Sequence, residues 1–435
     1  MLPHPHPSRR LEALARWMRR LGPARCLALV LFFLTLSLLG CYALTERRPW
    51  QWKPKREPPP QITVDRMIRV RLFGRSPQTT GTLEVTAPFS VSDALSDRVL
   101  LEHHAPLPKS AMQPAAAGGL KLGDLRLDSD DVLIFPQRDA SLVVNGKTYR
   151  GLLRIRRVPG GLALINQVDL ESYLRGVLRG ELPWNFHLES FKAQCVAART
   201  YALYQKSLTP SDRAWDVLDN EGSQMYIGVA GEARKAVEAV EATRGQVCAW
   251  NDGGHDAIFC TYYSSTCGGM SQHVNNFKPN DPAVPPLVGG VACDDCYLSK
   301  HYRWGPVKLS KREVTRRIVK NYPSVARLGP IIGLRPKELT PDGRIVRIQL
   351  DGATGQNETL MGEDFRLSIG GRVLKSTCFV IETEPDFFVF RNGKGYGHGV
   401  GLCQHGMETK ARRGMPYDRI LAWYYPTSKI MTLYH

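Results

Sequence analysis

The chain has 435 residues, with 58 Lys and Arg against 41 Asp and Glu, a formal net charge of +17. Hydrophobic residues at 43% and charged residues at 23% are ordinary globular values, which excludes wholesale disorder, collagen, coiled coil and a polytopic membrane protein. The length predicts two or three domains, and the basic surplus suits a polyanion without choosing among nucleic acid, anionic lipid and an acidic wall polymer.

Residues 1–25 form a basic leader with Arg9, Arg10, Arg16, Arg19, Arg20 and Arg25 against one acid, Glu12. Residues 26–44, CLALVLFFLTLSLLGCYAL, carry no charge and are long enough to span a bilayer. The positive-inside rule then holds the leader in the cytoplasm and exports the chain beyond Leu44. Arg47 and Arg48 reduce the charge asymmetry. Two processed fates compete with a single-pass anchor: a lipoprotein-like cleavage at Leu38-Leu39-Gly40-Cys41, or removal as a signal peptide. Residues 45–61 hold Pro49, Pro54, Pro58, Pro59 and Pro60, the composition of a stiff extended spacer. Export turns the positive charge away from nucleic acid and toward envelope polymers or lipid head groups.

The exported part reads as α+β. Residues 62–168 are β-rich, with strand patterns at 68–74, 81–87, 132–136, 141–157 and 162–168, and Asn145-Gly146 marks a hairpin. From 169 the period changes to helical. Leu170, Tyr173, Leu174, Val177 and Leu178 share one stripe, Asp169 can cap the start, Gly180 can end the helix and Pro183 forbids its continuation. A second helix comes next, with Leu188, Phe191, Cys195, Ala198 and Ala202 on one face and Asn185 as a candidate cap. Residues 243–265 and 342–384 return to strand character, and two short helices, 402–413 and 417–424, close the chain.

The turn between the first two helices places Glu181 beside Leu182, Pro183 and Trp184. Partial desolvation there would raise its pKa and suit it to general-acid work; an ordinary turn glutamate is the alternative. Lys192 and Arg199, seven apart, share a helix face that could bind an anionic or hydroxyl-rich ligand or simply be solvated. In GYGHGVGLCQHG, alternating glycines surround His398 and permit close approach of a backbone or ligand, and Gln404 could bond sugar hydroxyls or cap a helix. The spacing fits neither a dinucleotide fingerprint nor a phosphate loop. Cys260, Cys267, Cys293 and Cys296 could hold a structural zinc or stay as free thiols, but an oxidising compartment favours disulfides. Cys195 and Cys378 read as buried structural thiols.

Taken together, LESYLRGVLRGELP, FKAQCVAARTYAL, YYSSTCGGMS, GYGHGVGLCQHG and ILAWYYPTSKI resemble the stage II sporulation protein D (SpoIID) and amidase-enhancer family from about residue 68 onward. The resemblance implies a lytic transglycosylase of bacterial cell-wall glycan, or an enhancer of an envelope amidase. It implies that Glu181, in a Glu-Leu-Pro version of the family's Glu-Met-Pro motif, is catalytic. Lys192, Arg199, Gln224, Tyr226, His398 and Gln404 would then line the glycan cleft. The reaction requires no cofactor. Its partners would be peptidoglycan strands, an amidase, and the membrane through residues 26–44. The chain departs from the family at Ser264, where many members have His, at Cys403, where many have Ser, and around Ser223, where some carry zinc-binding His and Cys.

Overall fold

The computed structural model describes residues 65–137 and 140–435. The expected membrane span and spacer lie outside these residues, and no helix among the described residues is long and apolar enough to cross a membrane. The fold is α+β with a β-rich N-terminal part, as the sequence indicates.

Among the described residues, twelve strands precede the first helix: β1 (Met67–Arg71), β2 (Gly81–Val85), β3 (Phe89–Asp93), β4 (Val99–His103), β5 (Leu107–Pro114), β6 (Leu120–Leu122), β7 (Leu125–Leu127), β8 (Asp131–Pro136), β9 (Leu142–Val144), β10 (Lys147–Tyr149), β11 (Leu152–Val158) and β12 (Gly161–Asp169). With the later β13 (Val217–Leu218), they build a seven-stranded sheet in the order β13-β1-β12-β11-β8-β3-β4 and a six-stranded sheet in the order β10-β9-β2-β5-β6-β7. Alternation sets the faces: in β1, Ile68 and Val70 are buried while Arg69 between them is half-exposed. In β12 the run Leu162–Asn166 is buried on both sides, because Ala163 and Ile165 face Ala214. Asn145 and Gly146 take positive φ in the tight turn that pairs Val144 with Lys147, so the hairpin forms where its dipeptide indicates.

Helices α1 (Leu170–Glu181) and α2 (Leu188–Ser207) come next, then α3 (Arg234–Ala242). One hydrophobic core runs from Ile68 of β1 through these helices to Tyr425 near the C-terminus. A second core, from Trp304 to Phe390, belongs to an inserted lobe. The lobe contains α4 (Lys311–Asn321), for which the sequence reading assigned no element, and α5 (Gly362–Ile369), which falls inside the stretch 342–384 read as strand-like. After the lobe the chain returns to the first core as α6 (Gln404–Arg412) and α7 (Tyr417–Tyr424).

Two late pairings join distant stretches. Residues Tyr263–Ser264 pair in parallel with Leu402–Cys403, in the register Tyr263 to Leu402 and Ser264 to Cys403. The strand Gln246–Asp252 pairs antiparallel with the C-terminal strand Ser428–Thr432.

Candidate functional site

Helix α1 starts where the Asp169 side chain accepts from the amides of Glu171 and Ser172, and it buries the expected stripe of Leu170, Tyr173, Leu174, Val177 and Leu178. It ends one residue later than Gly180 suggests, on Glu181 itself, with Leu182 N–H closing onto the Leu178 carbonyl. Gly180 lies against the backbone of Met225, and a β-carbon there would collide with the Met225 carbonyl. This close approach brings the Met225 amide to the carboxylate of Glu181. Gly180→Ala is therefore expected to lower stability by about 1–3 kcal/mol, the usual cost of forcing extra volume into a packed contact, and to misplace Met225; urea denaturation and turnover measure the two effects separately.

Glu181 is half-buried and meets three donors. Its Oε1 accepts from Met225 N–H at 2.8 Å and from the Tyr263 hydroxyl at 3.2 Å, and its Oε2 accepts from Gln404 Nε2 at 3.3 Å. Behind Tyr263 the bonds run in one direction: the Tyr173 hydroxyl donates to Gln224 Oε1 at 3.0 Å, and Gln224 Nε2 donates to the Tyr263 hydroxyl at 3.0 Å. The Tyr263 proton is thereby directed at the carboxylate. Gln404 Nε2 also donates to Gln194 Oε1 at 3.4 Å, and Gln194 is fully buried.

Burial pushes the Glu181 carboxyl above the usual carboxylate range, outweighing the three donors that favour its ionised form; the charge of Glu221 adds to the rise. A raised folded-state pKa means that this group's contribution to stability is present below its unfolded pKa and is lost as pH rises through the folded value. The protonated carboxyl needed for general-acid work is lost over the same rise. Turnover should therefore fall on an alkaline limb set by Glu181. Tyr263→Phe, which removes one donor to the carboxylate, should move that limb to higher pH in a kcat/KM profile; an unmoved limb would assign the titration to another group.

The structure bonds Gln404 to Glu181 and links Gln224 to it through Tyr263, whereas the other four residues expected to line the cleft have their partners elsewhere. Arg199 is fully buried, with Nε and a terminal nitrogen on Glu171 at 2.9 and 2.6 Å and another nitrogen on the Gln246 carbonyl at 3.1 Å. It is a core ion pair, because α2 is enclosed by α1, α3, α6, α7 and the strand at Gln246–Asp252 and has no solvated face from Ala193 to Tyr204. Tyr226 is also core: its hydroxyl donates to Asn166 Oδ1 at 2.9 Å, and its ring packs on Tyr149 and Tyr173. Lys192 pairs with Glu189 at 2.8 Å and lies over the Tyr417 ring. His398 stacks on Phe277 at 4.3 Å and accepts the Val400 amide proton at Nδ1. Burial pushes its pKa down to about 4, so the ring is neutral at pH 7. Asn185 is not the cap of α2; the side chain of His187 accepts the Glu189 amide proton instead.

Three contributors escape the sequence reading. Tyr263, on the short strand Tyr263–Ser264, and the Met225 amide reach Glu181 from separate stretches of the chain, and Gln194 sits among apolar residues of α2, where a polar side chain in a buried run was the available signal. Trp184, three residues after Glu181 in the chain, is 74% exposed.

The cysteines regroup as well. All eight among the described residues are buried free thiols, Cys195 and Cys378 with them as expected, so the anticipated disulfides are not formed. Cys260 lies apart, its Sγ 3.6 Å from Gln205 Nε2. Cys403 takes its place beside Cys267, Cys293 and Cys296, and these four sulfurs lie within 4.8 Å of one another.

Against known proteins, the stage II sporulation protein (SpoIID) family matches residues 159–250, the stretch that carries Glu181, Gln194, Gln224 and Met225. A domain of unknown function (DUF8618) matches 294–401, which holds the second core. An uncharacterized protein of Brachyspira hyodysenteriae is 29% identical over 309 residues, covering 71% of this chain and 78% of its own length. The amidase enhancer of Bacillus subtilis is 26% identical over 359 residues, 71% of this chain but only 48% of the enhancer, so the alignment spans about half of that relative. Stage II sporulation protein D of Bacillus subtilis is 25% identical over 281 residues, 61% of this chain and 75% of that protein. The matched stretch contains both the half-buried Glu181 at the end of α1 and the 225 segment whose amide bonds it. The chain thus matches the stage II sporulation protein (SpoIID) family over residues 159–250 and is similar to proteins named amidase enhancer and stage II sporulation protein D.

Proposed function

We propose that the protein acts on the bacterial cell wall as a lytic transglycosylase of peptidoglycan strands, with Glu181 as its acid and base. The observation that carries this reading is the raised pKa of the Glu181 carboxyl, which is held by three uncharged donors, a backbone amide, a phenol and a carboxamide. Hydrolases that cut glycosidic bonds commonly use two carboxyl groups, one of them to activate water or attack the sugar. A single group suffices when the nucleophile is the sugar's own 6-hydroxyl. Glu181 gives its proton to the glycosidic oxygen, and the bond from that oxygen to the anomeric carbon breaks. The 6-hydroxyl oxygen then bonds to the anomeric carbon, and its proton returns to Glu181. No water is consumed and the product ends in an anhydro ring. Trp184 offers the face on which a sugar ring can stack.

A second reading has a specific support: the likeness to a protein named amidase enhancer favours a partner that binds glycan and stimulates an envelope amidase without cutting. In either reading we place the protein in the envelope, anchored through residues 26–44. Incubating the purified protein with wall glycan, intact and stripped of peptides, and weighing the products by mass spectrometry separates the cases. Anhydro-ended fragments support the transglycosylase; reducing ends would mean hydrolysis; binding with no new ends would favour the enhancer.

A further inference from the structure

We infer that Cys267, Cys293, Cys296 and Cys403 form a tetrathiolate site for one zinc ion, which fastens together the two segments that present Tyr263 and Gln404 to Glu181. The site itself rests on the thiols alone; its service to Glu181 rests on the function proposed above.

The four residues come from three separate places: Cys267 after the Tyr263–Ser264 strand, Cys293 and Cys296 around the short turn Asp294–Leu298, and Cys403 at the end of Leu402–Cys403. Each is at most 1% exposed. Zinc holds thiolates at about 2.3 Å in a tetrahedron, which sets sulfurs about 3.8 Å apart. The Cys267 and Cys296 sulfurs are 3.7 Å apart, far beyond the roughly 2.05 Å of a disulfide, and all four lie within 4.8 Å of one another. The spacing Cys-x-x-Cys at 293 and 296 is that of one knuckle of a zinc site.

The surroundings are built for sulfur that carries charge. The Tyr424 hydroxyl lies 3.0 Å from Cys293 Sγ, and the Cys267 amide donates to Cys403 Sγ at 3.3 Å. Such outer donors steady metal-bound ligands. Gly406, one turn into α6, faces the cluster, and a β-carbon there would collide with both Cys293 Sγ and the Tyr424 hydroxyl. Asp295, between the paired cysteines, is tied to α6 by Lys410 at 2.7 Å and by Arg413, so the turn is seated on the helix from outside the cluster. Four thiolates around a divalent ion leave a charge of two minus, and the N-terminus of α6, beginning at Gln404, offsets part of it.

Cys403 directly precedes Gln404, and Ser264 pairs with Cys403 one residue after Tyr263. An ion bonded to Cys267 and Cys403 therefore crosslinks the strand pair that delivers two of the three donors to the carboxylate.

The test begins with the full chain purified under reducing conditions, its metal content read by inductively coupled plasma mass spectrometry. About one zinc per chain is expected, replaceable by cadmium with a thiolate-to-metal charge-transfer band in the ultraviolet. Cys293→Ser should lose the band and Cys260→Ser should keep it. Tyr424→Phe, which removes only an outer donor, should weaken zinc binding by about 10- to 100-fold in competition with a chromophoric chelator. A chain without stoichiometric zinc that binds none when supplied overturns the proposal, whether its four thiols titrate as free groups or mass spectrometry finds a Cys267–Cys296 disulfide. These readouts need no glycan: zinc without cleavage upholds the site and removes its catalytic service, whereas cleavage without zinc removes the site and leaves the Glu181 chemistry standing.

Discussion

Glu181→Gln is expected to lower the formation of anhydro-ended fragments by roughly 100- to 10,000-fold, the range that a positioned general acid supplies, and to fall toward the upper end because one group serves as both acid and base. The amide keeps the size of the carboxyl, so the Met225 and Tyr263 donors can still be met by its oxygen. Gln404, whose Nε2 donates to Oε2, must turn its own amide to avoid facing a second donor. Fold and glycan binding should therefore survive, and cosedimentation with purified wall checks the latter. Retained turnover in the purified variant would remove Glu181 from the chemistry. Loss of both binding and melting transition would show a packing fault instead, and Glu181→Asp, which withdraws the carboxyl while keeping its charge, then distinguishes reach from structure.

The largest effect on stability is expected from Arg199→Met. Arg199 and Glu171 form a bidentate pair, and the Tyr434 hydroxyl donates to Glu171 Oε1 at 2.6 Å. Removing the guanidinium leaves a buried carboxylate unpaired, which costs about 3–5 kcal/mol, read as a fall in the urea midpoint. The pH dependence fixes the cause. In the native chain burial pushes Glu171 up, but the bonds and charge of Arg199 outweigh it and the net pKa is lowered, so the stability it contributes is present above the unfolded value and lost as pH falls through the folded one. In the variant burial acts unopposed and the sign reverses. The deficit should grow as pH rises and shrink in acid, where Glu171 can take a proton. A deficit independent of pH would make Arg199 a matter of volume. An Arg199 that lined a glycan cleft would instead raise KM and leave the midpoint in place.

Local patterns carried a good part of this architecture. The Asp169 cap, the α1 stripe, the Asn145-Gly146 turn and the position of Glu181 at a helix end all depend on residues within a few places of one another, and each was legible. Which side of α2 would meet solvent was not. Its periodicity offers a basic face, yet neighbours contributed by α1, α3, α6 and α7 enclose the helix from every side, and none of that is encoded within its own 20 residues. The thiol cluster failed for a similar reason. Cys260 is near Cys267 in sequence, whereas Cys403 reaches it only through a parallel pairing that joins positions 263 and 402. Tyr263 escaped in the same way, since its value lies in bonds to Gln224 and Glu181, 39 and 82 residues distant along the chain.

That parallel pairing also governs when the protein becomes able to act. Glu181 is made more than 200 residues before Gln404 and the strand partner of Tyr263, and the strand that pairs with Gln246–Asp252 follows later still. Contacts of such long sequence separation close late in folding, because the intervening chain must first surrender its freedom. A chain interrupted before residue 402 would carry the acid without Gln404 and with Tyr263 unpaired. For a protein proposed to cut the wall that contains the cell, competence is thus deferred until the segment around residue 402 has been made and has paired with the strand at Tyr263.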